Sequence, residues 1–176
     1  MSGVAVLFAR EDSVYKQMRG CDVYDIKRDA RTWSGGRPVV AHPPCRAWGR
    51  LRQFAKPRDD EKALALFAVA QVRKHGGVLE HPANSTLWGA ATLPAPGVRD
   101  QYGGWTLPIY QGHFGHRAPK ATWLYIVGCE PKDIPALPFV LGLPEGRVEL
   151  LSRAAREHTP EPLAAWLVEL AARCAK

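Results

Sequence analysis

Apolar residues follow two rhythms along this chain. Short, nearly unbroken runs occur at residues 4–9 (VAVLFA), 21–26 (CDVYDI), 37–42 (RPVVAH) and 77–82 (GVLEHP), each bounded by glycine, proline or charge. Runs of that length with β-branched content predict buried strands. A short helix is expected around residues 13–18, before a turn at Gly20. Between the third and fourth runs the spacing changes: Ala63, Leu64, Leu66, Phe67, Ala70 and Val72 predict a helix over residues 59–74. That face puts Leu66 and Phe67 inside and leaves Arg73 and Lys74 outside. Acidic residues open the helix, and Lys74-His75 close it before Gly76-Gly77, as the helix dipole and a glycine stop favour.

Later in the chain, WTLPIYQG and ATWLYIVG read as a strand pair around a loop rich in His, Arg and Lys. A Pro-rich stretch over residues 131–144 precedes a last helix over residues 160–174, with Thr159 as its expected N-cap and Pro160 in its first position. Strands alternating with helices predict an α/β fold: a mostly parallel sheet covered on both faces, with an antiparallel pair at its C-terminal edge. Reactive groups in such sheets collect beyond the carboxyl ends of the strands. Those ends carry Ala9-Arg10-Glu11-Asp12, Asp25, His42-Pro43-Pro44-Cys45 and Glu80-His81-Pro82, which the fold would bring to one crevice.

The 176 residues are read as one domain, 1–176. Neither a secretory leader nor a membrane-spanning run is recognised, so a cytoplasmic protein is expected. Its four cysteines form no Cys-x-x-Cys pair and are expected to be free thiols. A formal net charge of +7 suits a polyanionic partner. The spacing His42-x-x-Cys45 and His113-x-x-His116, with His81, also admits a zinc-binding alternative.

Pro-Cys at the third strand end and Glu before Pro one strand later resemble the cytosine carbon-5 DNA methyltransferases. QGHFGHRAPKATWLYIVG is similar to that family's later basic segment, and EHTPEPLAAWLVELA to its closing helix. Small phage-type and prophage-type methylase-like proteins, with His-Pro-Pro-Cys and Phe-Gly-His motifs, are the most similar in kind. The resemblance implies a Rossmann-like, S-adenosylmethionine (SAM)-dependent methyltransferase fold, a pyrimidine substrate and a nucleic-acid partner, DNA first. The chain departs from the family in three ways: its first strand ends without a glycine turn, His81 replaces an asparagine, and its 176 residues are too few to include the family's separate target-recognition domain.

The resemblance also distributes roles. Cys45 is the nucleophile that adds to carbon 6 of cytosine, with its pKa lowered by Arg46, Arg50 or a later cation. Glu80, protonated, faces ring nitrogen 3, while Arg117 and Lys120 hold a carbonyl or phosphate. Phe8, Ala9, Arg10, Ser13, Asp25, Asp29 and His42 form the cofactor side; the methionine carboxylate would meet the helix start at Ser13, and Asp25 the ribose. Pro44, Arg46, Trp48, Arg50, His81 and His116 form the substrate side, with Trp48 available to stack on a base. A duplex base must be flipped out, or the target single-stranded, to reach Cys45. The alternative to an enzyme is a non-catalytic nucleic-acid-binding protein on a degenerate methyltransferase scaffold.

Overall fold

Val4–Leu7 (β1), Cys21–Tyr24 (β2), Val39–Ala41 (β3) and Gly77–Pro82 (β4) form the parallel half of the sheet in a computed structural model describing residues 3–174. Trp105–Tyr110 (β5) and Ala121–Val127 (β6) complete six strands in the order β2-β1-β3-β4-β6-β5. The sheet is mixed rather than mostly parallel: β6 runs antiparallel to both β4 and β5. Ten residues join β5 to β6, too few for a crossover, so the chain returns as a hairpin and pairs directly with β4. The antiparallel edge pair is present as expected.

Alternation along the strands sorts the apolar side chains to two faces. Ala5, Leu7, Val39, Ala41, Leu79, Tyr125 and Val127 pack against the helix Glu61–His75 (α1). Val4, Val6, Val40, Val78, Leu124 and Ile126 pack with Tyr15 against the last helix of the chain. A single-turn segment, Leu87–Ala90 (α2), follows β4, and Arg153–Glu157 (α3) precedes that last helix, Glu161–Arg173 (α4). No helix among the described residues is long and apolar enough to cross a membrane.

Three local expectations are corrected. The buried stripe of α1 is Leu64, Ala65, Ala68, Val69 and Val72, which leaves Leu66 exposed and Phe67 half-buried, its ring edge-on to Phe8. Leu66 instead lines a groove of about 470 Å³ beside Ala70, Ala90 and Tyr102. Arg73 is not a solvated charge: it stacks 4.4 Å from the Tyr102 ring and donates to the Tyr125 hydroxyl at 3.2 Å and the Ala91 carbonyl at 3.0 Å. The N-cap of α4 is Pro160 rather than Thr159, one residue later than the pattern implied. At the sheet edge of α1, Gly76 turns with φ 76°, and a Cβ on Gly77 would collide with the Val39 backbone.

Candidate active site

Hydrogen bonding of His42 N to the Leu7 carbonyl, 3.0 Å, carries β3 one step past its last paired residue before Pro43 and Pro44 end it. Cys45 follows at once, and its carbonyl accepts from Trp48 N at 3.0 Å and Gly49 N at 2.8 Å, which closes a tight turn behind the thiol. His42 shares a strand face with Val40, and Glu80 with Val78, so both point to the α4 side. There His42 Nδ1 lies 3.0 Å from Glu80 Oε2, and its Nε2 lies 2.9 Å from the Tyr15 hydroxyl. Gln111, directly after β5, donates Nε2 to Glu80 Oε1 at 2.8 Å and to Thr122 Oγ1 at 3.1 Å. The result is a polar chain from Tyr15 through His42, Glu80 and Gln111 to Thr122.

Electrostatics correct two of the roles implied by the resemblance. Burial would push the Glu80 carboxyl upward, but the His42 hydrogen bond and the charges of Lys120 and His42 outweigh it. Glu80 is therefore held below the ordinary glutamate range, ionised and not protonated. Burial pushes the Cys45 thiol up, and the Glu80 carboxylate adds to that, while Lys120 opposes. Cys45 therefore rests as a thiol. Arg46 and Arg50 are committed to carboxylates: Arg46 forms a bidentate pair with the buried Glu61, and Arg50 binds Glu149 at 2.7 Å. Lys120 does reach the cluster electrostatically, from a half-buried position with φ 47°, whereas Arg117 is exposed with no ion pair among the described residues.

The expected substrate side is largely structural. Trp48 is only 7% exposed and packs in the α1-face core, so it offers no open ring face to a base. His81 has no exposed surface, and neither ring nitrogen has a hydrogen-bond partner; burial holds its pKa down at about 4 against the Glu80 charge and the Pro44 carbonyl. His116 is buried too, with Nδ1 at the Ala118 backbone and Nε2 3.2 Å from the Ala155 carbonyl. It ties the basic loop to α3. Pro44 alone of this set sits half-buried beside Cys45 without a side-chain commitment.

The residues of the expected cofactor side are largely engaged with one another. Asp25 Oδ1 accepts from Lys27 N and Arg28 N at 2.9 and 3.0 Å, and Oδ2 pairs with Lys16 at 2.5 Å. Lys16 and these backbone donors hold its pKa at about 2 and leave little acceptor capacity for a ribose. Asp29 caps the turn Ala30–Thr32 and pairs with Arg31. Arg10 binds Asp12 and, at 2.8 Å, Glu157. The helix expected at Ser13 is a four-residue 3-10 turn, Val14–Gln17, too short for a substantial dipole, and Ser13 makes no capping bond. Phe8, not a glycine, takes the left-handed backbone at φ 64°, with Ala9 N bonded to Tyr24 O at 2.9 Å. The His42 ring is held between Tyr15, on this turn, and Glu80, with both ring nitrogens engaged.

The zinc alternative finds no support: among the described residues no three His, Cys, Asp or Glu side chains are grouped to hold a metal ion. Sequence reasoning missed Tyr15, Gln111, Thr122 and Glu157. Gln111 had a signal, since it follows a strand directly, but its partner across the sheet depends on β6 lying between β4 and β5. Comparisons with family models, curated proteins and solved structures found no match to this chain.

Proposed function

We propose that this chain binds a pyrimidine base of a nucleic acid, cytosine first, at the carboxyl ends of β3 and β4, and adds the Cys45 thiol reversibly across its carbon 5–carbon 6 bond. The observation that carries the reading is that Cys45 and an ionised Glu80 stand at the ends of the adjacent parallel strands β3 and β4, with Lys120 acting electrostatically on both from the loop before β6. The chemistry balances without a co-reactant other than water. Sulfur bonds to carbon 6 and its proton passes to ring nitrogen 3, where the Glu80 carboxylate stabilises the new N–H. Carbon 5, now enamine-like, takes a proton from water. Loss of either carbon-5 proton then expels sulfur, and the nitrogen-3 proton returns to it. The net result is exchange of the carbon-5 hydrogen with solvent.

An ionised Glu80 suits this step better than a protonated one, because its charge complements a ring that gains a proton rather than the neutral ground state. Pro43 and Pro44 restrict the loop, so little order is lost when the base arrives. The test is titration of single-stranded oligonucleotides of equal length. Oligo-dC is expected to bind about tenfold more tightly than oligo-dA, and Glu80→Gln to erase that preference while leaving a salt-dependent background. Equal affinity of the wild type for both would reject the reading.

SAM-dependent cytosine methylation of DNA is the second reading. What supports it is the sheet, in which four parallel strands are followed by an antiparallel edge pair. Calorimetry with SAM decides it: millimolar or tighter binding favours methyl transfer, and no binding leaves the base-binding half alone.

A further inference from the structure

Both oxygens of Glu80 are tied, and by different parts of the sheet: Oε2 to His42 from the end of β3, Oε1 to Gln111 from the end of β5. His42 is in turn fixed by Tyr15, whose ring lies 5.4 Å from the imidazole and is 1% exposed. The Gln111 amide cannot be reversed, since its oxygen would then face the carboxylate. These contacts lie beyond the β3–β4 ladder, which pairs Val39–Ala41 with Gly77–Leu79.

We infer that His42, braced by Tyr15, is a positioning residue that fixes the orientation and charge of the Glu80 carboxylate for the base. The inference rests on the base-binding reading for its use, but not for its existence. With Nδ1–H directed at Glu80, one lone pair on each carboxylate oxygen stays free for a ligand, and the carboxylate plane cannot rotate. Tyr15 keeps the other nitrogen engaged, so the imidazole cannot turn away. The charged and titratable groups around this pair are Tyr15 from the 3-10 turn, Lys120 from the loop before β6, His81 from β4 and Cys45 from the β3 loop. Burial holds the His81 pKa down, and Lys120 adds its positive charge to the His42 hydrogen bond in favouring the Glu80 carboxylate.

The experiment follows the Glu80 carboxyl carbon by NMR through a pH titration, in the wild type, His42→Ala, His42→Gln and Tyr15→Phe, with circular dichroism to verify folding. His42→Ala is expected to raise the Glu80 midpoint by about one pH unit or more, a tenfold change in proton affinity. His42→Gln, which restores an N–H donor, should recover part of the shift, and Tyr15→Phe should give a smaller one in the same direction. An unchanged midpoint in folded His42→Ala overturns the inference. If His42→Ala does not fold, Tyr15→Phe decides, because it keeps the ring and removes only the hydroxyl; no shift there overturns the inference as well. Carbon-5 exchange at pH 6, measured in parallel, should fall about tenfold in His42→Ala. A normal NMR shift with no exchange in the wild type sinks the proposed function and leaves the positioning role intact.

Discussion

His81 shows how one buried side chain can set a whole acid response. Its ring is wholly enclosed with both nitrogens unpaired, and burial keeps its pKa at about 4. In the unfolded chain it titrates near 6.5. Between those values the unfolded state binds the extra proton, so stability falls as pH drops from 6.5 towards 4, by roughly 3 kcal/mol in all. Asp25 works in a lower window: held at about 2, it stabilises the fold above the ordinary aspartate range and loses that contribution as pH falls through 2. Urea denaturation at pH 7 and pH 4.5 separates the two. His81→Leu is expected to retain stability at pH 4.5 that the wild type loses, whereas Asp25→Asn should cost about 1–2 kcal/mol at pH 7. An identical pH dependence of wild type and His81→Leu would contradict the account of His81.

Helix α1 approaches the sheet on alanines. Ala65 and Ala68 have no exposed surface, while the larger Leu66 lies outside them. Ala68→Leu is expected to destabilise by about 1–3 kcal/mol through overpacking, and Leu66→Lys by no more than about 0.5 kcal/mol; equilibrium unfolding checks both. The reverse ranking would restore the stripe that periodicity suggested. Its failure there has a physical reason. Residues 63–72 hold more apolar side chains than one helical face, and pattern alone cannot say which face comes close enough to need small residues. The strands of the parallel half were legible because short β-branched runs ended by Gly, Pro or acid admit few other structures. At the site, His42, Cys45 and Glu80 were legible for the same reason, as residues at strand ends. Tyr15 and Gln111 were not, because their meetings with His42 and with Glu80 depend on how elements far apart in the chain are arranged. Protonation was also hidden: nothing local to Glu80 announces that its two oxygens are met by His42 and Gln111.

Across the whole molecule, the excess of seven positive charges is less available than the sequence suggests. Arg10, Arg46 and Arg50, all near the crevice rim in sequence, are paired with Glu157, Glu61 and Glu149. Two of those acids come from the segment around α3, which His116 also anchors. Exposed pairs of this kind contribute little to stability, so a phosphate can replace Glu149 or Glu157 at low cost. The double variant Glu149→Gln, Glu157→Gln should fold as the wild type does and bind single-stranded DNA more tightly. Its salt dependence should steepen by about 0.7 per arginine released. Unchanged affinity and slope would show that these arginines lie off the binding surface.

The measurement closest to the central claim is exchange of the cytosine carbon-5 hydrogen with deuterated water, in an oligonucleotide incubated with the protein and no methyl donor. Wild type is expected to exchange it, faster as pH rises and the Cys45 thiolate fraction grows. Lys120→Gln should slow the reaction at neutral pH, because Lys120 is the cation that lowers the thiol's pKa. Cys45→Ser should abolish exchange while leaving oligonucleotide binding in place. Exchange that persists in Cys45→Ser, or that never exceeds the protein-free rate in the wild type, would contradict the assignment of Cys45 and Glu80 to a pyrimidine base.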